Sequence, residues 1–599
     1  TLAFTISVLA LAAAPAGAST RADFRTAAVT ALCALGGTAA ADLVSGARGL
    51  GPVQGALLIG AGVCVGLVGA WGVGLSGARP LVTRLGGPHT LRAGGVPIAE
   101  LAALAAIVAA FATFAVRHLL IDSSFGWDES VYALTSRHWV FGTPSTGWAA
   151  HRPPGMSALG AVSILFSEDE VAFRAWGVLF GIGGIVAGWL VARSIGGGVA
   201  GLVAAAGIGS VWRFQADAAR FLTDVPATAL LLLLTWWLWR ASRAAELPRA
   251  FLIVAPLVAV SFYVRYGAAV PLVFLGITAL IVSWRTYVRS WRTVLATLAA
   301  AGVMLLGHVV PAIRMTGSPW GVALGARDLA APTHPGAALE SYLAGLPDHR
   351  LAGTAAAVLM VLGVIGWLVA LLSAMARRRS TPLAAGMTLL CLPALAVFLV
   401  LGWVALPQVR YIFFSIAALI CAGGVAVAMA LRWAPHRWRT ALGAAAVTIS
   451  AVAMVDQGLL SVAIGAADAP GRDDVRRAGL AIRADADGRP CAALTHIPPI
   501  ITWYSGCASH AFGRPAQPGR EAALEGVSRG YLVLYQGGPG SSLPFGAVRE
   551  GYIALADEEP VAVIRDLSSG RIDVTVYRLR EPDTGASFVP RGGRRGPGG

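Results

Sequence analysis

Apolar runs separated by short polar segments recur along almost the whole chain. They fall near 1–18, 26–45, 52–75, 97–118, 171–192, 196–212, 225–240, 250–264, 267–284, 294–313, 351–374, 383–405, 410–431 and 440–463. Most approach the 20 or so residues that a helix needs to cross a hydrocarbon core of about 30 Å. The pattern predicts a polytopic α-helical membrane protein of about 13–14 spans. Residues 1–18 end in Ala-Pro-Ala-Gly-Ala, like a signal-peptide core. Because further spans follow directly, a truncated first membrane helix is the favoured reading.

Two breaks in the pattern are long. Residues 119–170 hold two stretches, roughly 128–141 and 155–166, that read as helices lying in the membrane interface. Residues 314–350 hold His334, His349, Asp328, Glu340 and Asp348 among prolines and glycines, and read either as a lid or as a connector. After 464 the character changes to a polar helix at 473–484, a helix around 500–504, and strands at 491–495, 531–535, 561–565 and 572–578. That alternation predicts a small C-terminal α/β domain. The expected division is a membrane extension of about three spans at 1–96, a membrane core at 97–463, the α/β domain at 464–582 and a disordered tail at 583–599.

Composition fits the pattern: 56% of residues are hydrophobic and only 13% charged, against about 25% charged in a soluble domain. The formal net charge of +15 comes entirely from arginine, since no lysine occurs. The arginines cluster in the short loops 79–92, 240–250, 285–293, 375–380 and 432–440 rather than in one patch. This is the positive-inside signature of cytoplasmic loops, so the charge reports orientation and not a nucleic-acid partner. The loops 119–170, 213–224 and 314–350, and the C-terminal domain, then lie outside. Cys491 and Cys507 fall in that outer domain and are a candidate disulfide, because such compartments are oxidising. Cys33, Cys64, Cys391 and Cys421 lie in apolar runs as packing residues.

The densest chemistry is in FGWDESVYALTSRHWVFGTPSTGWAAHRPPG, 125–155. Carboxylates at a membrane face are costly to keep and often mark function. Asp128 could act as a general base and Glu129 could orient it or touch substrate, or both acids simply favour a helix start. Tyr132 shares their helix. In His151-Arg152-Pro153-Pro154 the prolines stiffen a turn, and Arg152 offers a donor fork suited to phosphate or to lipid headgroups. A second outer segment holds Asp217 and Asp224; Asp224 either caps the next span or faces a cavity. Arg265-Tyr266 and Arg410-Tyr411 occupy two more outer turns. Arginines there run against the positive-inside trend and either bind a lipid phosphate or pair with Asp224 or Asp128. Gly-rich 181–188 lies inside a span and reads as close helix packing. No metal-ligand spacing, nucleophile elbow or nucleic-acid motif is present.

Asp128-Glu129 with Tyr132, Arg152-Pro153-Pro154, Thr223-Asp224-Val225-Pro226, Arg265 and Arg410-Tyr411 together resemble the GT-C glycosyltransferase superfamily. The likeness is to the branch of protein O-mannosyltransferases and lipid A aminoarabinose transferases, over roughly 97–463. The resemblance implies transfer of a sugar from a polyprenyl-phosphate donor, on the outer membrane face, to a cell-envelope glycan, glycolipid or protein. It implies Asp128 as the base and Arg152, Arg265 and Arg410 as ligands of the donor phosphate. His151, Tyr132, Asp217, Asp224, Tyr266 and Tyr411 would line the substrate cavity. No cofactor is demanded when a lipid monophosphate leaves against arginines, and a divalent metal is compatible with the scheme. The chain departs from the pattern in having arginine where lysine often precedes the Pro-Pro, and in its N-terminal extension. The all-arginine, alanine-rich composition points to the plasma membrane of a high-GC bacterium. The alternatives are a transporter or flippase of envelope precursors, which should show inverted repeats and broken helices at mid-membrane where this chain concentrates its charges at the outer face, and a non-catalytic envelope scaffold.

Overall fold

The computed structural model describes residues 92–93, 96–122, 124–143, 152–329, 334–345, 353–378, 381–511, 529–535, 556–565 and 572–579. The N-terminal spans and the tail expected from the sequence lie outside the described residues. In chain order the elements are β1 (Arg92–Ala93), β2 (Val96–Pro97), α1 (Ile98–Ile121), α2 (Trp127–Phe141), α3 (Pro154–Ile164), α4 (Glu170–Gly196), α5 (Gly198–Gly209) and α6 (Trp212–Ala218). There follow α7 (Asp224–Ser242), α8 (Val254–Val264), α9 (Ala269–Arg289), α10 (Trp291–Thr316), α11 (Gly321–Leu329), α12 (Ala337–Gly345), α13 (Thr354–Ala376), α14 (Pro382–Val404) and α15 (Phe413–Leu431). The chain closes with α16 (His436–Ala486), β3 (Cys491–Thr495), α17 (Pro498–Ser505), β4 (Ala508–Ala511), β5 (Arg529–Tyr535), β6 (Ala556–Arg565) and β7 (Ile572–Leu579).

A helix occupies each run expected between 97 and 463. Among the described residues, eight helices are long and apolar enough to cross a membrane, or up to nine if one bent pair is a single span. That pair is α5 and α6, which break by 71° at Ser210-Val211. The count from residue 97 onward is lower than the eleven runs for local reasons. The run at 250–264 is a short helix, and α7 has its apolar character diluted by Asp224, Arg240 and three tryptophans. The chain therefore reads as a multi-pass membrane protein.

The described residues divide into two compact units. The first comprises residues up to Leu119, Pro153–Met156 and Val171–Ala463. Its centre is α15, packed against α13 and α5 through small residues. A methyl group on Gly363 would meet the backbone of Gly423 at 2.9 Å, and one on Gly424 the backbone of Ala204 at 3.2 Å. The glycines of 181–188 serve the same end: Gly181 faces Phe111 and Ala218, and Gly188 faces Ile208 and Cys421. Large apolar side chains of α9, α10 and α13 point outward, as Ile281, Leu298 and Leu372 do. Arginine stacks on tryptophan near several helix ends, as in Arg240 on Trp236 at 5.0 Å and Arg292 on Trp291 at 5.5 Å.

The second unit comprises Leu120–Arg152, Ser157–Glu170 and the chain from Ile464. Helices α2 and α3 lie where the two interfacial helices are expected. The C-terminal residues form a five-stranded sheet of order β4-β3-β5-β7-β6, parallel across β4, β3 and β5 and antiparallel across β5, β7 and β6. Cys491 and Cys507 are joined by a disulfide, with Cα atoms 4.9 Å apart. One expectation changes: the polar helix at 473–484 is not a separate element but the end of α16, which continues from the last apolar run. Ion pairs one turn apart, Asp468–Arg472 at 3.8 Å and Asp473–Arg477 at 3.3 Å, support the helix where its apolar stripe ends. In the same unit Arg472 donates to the fully buried Asp122 at 2.6 Å.

Candidate active site

In the second unit, α2 begins after Gly126, whose backbone is extended, and carries both acids in its first turn. There the helix dipole favours negative charge. The two acids have different surroundings. Glu129 is buried, and its Oε2 accepts the Gly126 N–H at 2.8 Å, the reciprocal contact of a capping box. Asp128 Oδ1 accepts from Arg152 Nη2 at 2.7 Å, with side-chain exposures of 18% and 31%. A carboxylate and a guanidinium that remain partly exposed are thus presented together. Tyr132 is buried one turn further along α2, and its carbonyl accepts from Ser136 Oγ at 2.8 Å. Ser136 Oγ also donates to the Ser157 carbonyl at 2.8 Å, tying α2 to α3. His151 lies outside the described residues.

In the first unit a second constellation forms where α7, the turn after α8 and the turn before α15 meet. Asp224, 3% exposed at the start of α7, pairs with Arg265 Nη1, which also reaches Thr223 Oγ1 at 3.4 Å. Side-chain capping is not the role of Asp224 among its described contacts: its partner is the arginine. The Arg265 guanidinium lies 4.9 Å from the Tyr411 ring centre and that of Arg410 lies 5.8 Å from it, so one ring has two cations beside it. Arg410 Nε donates to Gln408 Oε1 at 2.8 Å. Asp217, buried on α6, pairs with Arg220 at 3.8 Å, apart from this group in its described contacts. Tyr266 joins a ring cluster with Phe262 at 5.2 Å and His308 at 4.9 Å, which are themselves 5.0 Å apart.

Sequence reading missed Tyr342. It is fully buried on α12, packs on Phe398 at 5.7 Å, and its hydroxyl donates to the Gln408 carbonyl at 2.9 Å. The segment 314–350 is therefore helical at α11 and α12, and α12 is anchored beside the Arg410 turn. A tyrosine among small and apolar residues was the available signal, since a buried phenol needs a partner. His334, just before α12, and Glu340 on α12 are 4.0 Å apart and exposed; His349 and Asp348 lie outside the described residues. Among the described residues no group of three or more His, Cys, Asp or Glu is arranged to hold a metal ion.

Residues 151–310 match the family model described as dolichyl-phosphate-mannose-protein mannosyltransferase. No curated protein sequence matches the chain significantly. The crystal structure of ArnT from Cupriavidus metallidurans bound to undecaprenyl phosphate superposes with a TM-score of 0.56 at 14% identity, covering 80% of this chain and 97% of ArnT. This chain has the GT-C fold. The apo ArnT structure gives the same result, with a TM-score of 0.55 at 15% identity, covering 80% of this chain and 98% of that one. The family-model match starts at His151, so it takes in Arg152-Pro153-Pro154, Asp224 and Arg265.

Proposed function

We propose that this GT-C protein is a polyprenyl-phosphate-dependent glycosyltransferase of the bacterial plasma membrane. It moves a sugar to a cell-envelope glycan, glycolipid or protein on the outer face. The observation that carries the reading is the Asp128–Arg152 pair, a partly exposed acid in the first turn of α2 with a guanidinium from the turn before α3 at 2.7 Å. Support comes from the mannosyltransferase family model, which takes in the Arg152 turn and Arg265, and from the ArnT fold, which in one structure carries undecaprenyl phosphate.

In this reading the bond between the sugar's anomeric carbon and the phosphate oxygen breaks as the acceptor oxygen bonds to that carbon. Asp128 takes the acceptor hydroxyl proton, work that contributes roughly 10²–10⁴-fold in enzymes. The polyprenyl phosphate leaves with the bond's electron pair, and guanidinium groups stabilise its charge. Arg152 is assigned to that phosphate, as are Arg265 and Arg410. A guanidinium fork matches phosphate oxygens, and Asp224 and Gln408 hold two of these forks in fixed orientation. Glu129 sets the turn that presents Asp128.

Undecaprenyl phosphate titrated into the purified protein tests the donor class without knowledge of the sugar. A ligand at 100 times its Kd stabilises the folded state by about 2.7 kcal/mol. Saturable thermal stabilisation that weakens in Arg152→Ala and Arg265→Ala is expected. No stabilisation of the wild type would overturn the reading.

A further inference from the structure

The second unit holds a contact set around α2 that the proposed chemistry does not use. Helix α17 is short, wholly buried and stiff. Pro498 and Pro499 open it, Gly506 closes it in the left-handed conformation, and the Cys491–Cys507 disulfide encloses it. Its last turn meets α2 at two places. Tyr504 Oη accepts the Phe125 N–H at 2.9 Å. The Trp503 ring packs against fully buried Phe125 at 5.3 Å and lies 3.7 Å from the Arg137 guanidinium. Arg137 also donates to the Trp503 carbonyl at 3.1 Å and to Glu168 at 2.9 Å.

Phe125 precedes Asp128 by three residues and Arg137 follows it by nine. One side chain of α17 therefore touches the chain on both sides of the acid. Two successive amides before the helix are fixed from different directions: Phe125 N–H by Tyr504, and Gly126 N–H by Glu129. With both set, the first turn of α2 has little freedom to rotate, and the Asp128 carboxylate is aimed through the backbone that precedes it. A merely structural cover would need apolar contact only. A backbone N–H held by a phenol, together with a guanidinium stacked on the adjacent indole, fixes direction as well as burial.

We infer that Trp503 and Tyr504 are positioning residues for Asp128, and that turnover depends on the closed Cys491–Cys507 bond that braces their helix. This rests on the reading of Asp128 as the base. The test uses the full chain in lipid nanodiscs and compares wild type with Tyr504→Phe, which removes one hydroxyl. Amide hydrogen exchange is read in peptides covering 124–130 and in β3 and β5. The kcat and KM for a polyprenyl-phosphate sugar donor, and binding of undecaprenyl phosphate, are read in parallel.

Faster exchange at 124–130 with β3 and β5 unchanged is expected. The kcat should fall on the order of tenfold to a hundredfold, because small misplacements of a reacting group cost that much, while KM and undecaprenyl phosphate binding stay at wild-type values. Trp503→Phe should retain more of the kcat than Trp503→Ala. If Tyr504→Phe does not fold, the Cys491→Ser, Cys507→Ser double variant is read at 124–130 against β5 alone, since Cys491 belongs to β3, with the same rise in exchange and fall in kcat expected. Unchanged exchange at 124–130, or a wild-type kcat with that exchange raised, overturns the inference. Wild-type turnover in Asp128→Asn would instead remove the base reading and leave the exchange result to decide the positioning alone.

Discussion

Arg152 donates to Asp128 at 2.7 Å with 31% and 18% of the two side chains exposed, whereas Arg265 grips Asp224 with the acid only 3% exposed. The chemistry of the two pairs is the same and their surroundings differ, so removing a partner should have different consequences. A pair left partly open to water is screened, and its contribution to stability is on the order of 1 kcal/mol. Arg152→Ala should therefore leave the melting temperature of the unliganded protein nearly unchanged. Its cost should appear in undecaprenyl phosphate binding, weakened roughly tenfold or more, in line with the loss of a hydrogen bond to a charged group. Calorimetry of the free and the liganded protein separates the two effects.

Breaking the buried pair leaves an uncompensated charge, which costs about 3–5 kcal/mol in protein interiors. Asp224→Ala should be strongly destabilised even without ligand, and Asp224→Asn less so, because the amide still accepts from Arg265. Thermal unfolding of both variants in nanodiscs checks this. Equal melting temperatures for Asp224→Ala and wild type would contradict the assignment of a buried pair.

Gly155 opens α3 against the end of α8, where a Cβ would stand 2.7 Å from the Tyr263 carbonyl oxygen. Backbone cannot yield there as a side chain can. Gly155→Ala should destabilise the protein by about 1–3 kcal/mol, the usual cost of overpacking. Thermal unfolding reads the loss, and Gly183→Ala, with open space around its Cβ, is the matched control.

The C-terminal sheet carries an acid–base signature. Asp485, in the polar end of α16 beyond its apolar stretch, accepts from Tyr531 at 2.7 Å and Arg529 at 2.9 Å and also pairs with Arg578. Burial raises its pKa, but the bonds from Tyr531 and Arg578 and the nearby arginine charges outweigh this and hold it below the usual carboxylate value. Burial, and then the Asp485 carboxylate, push the Tyr531 phenol up to about 12. A depressed acid contributes stability present above its unfolded pKa and lost as pH falls through the folded one. A raised phenol contributes stability present below its unfolded pKa and lost as pH rises from about 10 towards 12. The sheet should unfold more readily below about pH 4 and above about pH 10, and Tyr531→Phe should flatten the alkaline limb. Near-UV circular dichroism against pH checks both.

The apolar runs from residue 97 onward were legible because length and hydropathy decide a membrane helix almost alone. Four of the five strands of the C-terminal sheet were legible from β-branched and aromatic clusters such as Tyr531-Leu-Val-Leu-Tyr535, whereas β4, Ala508-Ser-His-Ala511, carries no such cluster and was missed. What could not be read was pairing. Asp128, Arg152, Asp224 and Arg265 stand out as charges at membrane edges, yet nothing local says that Arg152 meets one acid and Arg265 the other. Glu129 looked like Asp128's partner, but the helix start turns it back on Gly126. Trp503 and Tyr504 lie 379 residues or so from their contact at Phe125, and no local pattern marks that meeting. The extent of α16 was missed because its stabilisation changes from an apolar stripe to ion pairs within one helix.

The most direct measurement is the rate at which the purified protein in nanodiscs releases polyprenyl phosphate from a panel of polyprenyl-phosphate sugars, comparing wild type with Asp128→Asn. The expected result is turnover of at least one donor by the wild type. In the variant it should fall by roughly 10²–10⁴, with undecaprenyl phosphate binding intact. Wild-type rates in Asp128→Asn would contradict the assignment of the base. Failure of the wild type to consume any donor, in the presence of cell-envelope acceptors, would contradict glycosyl transfer itself.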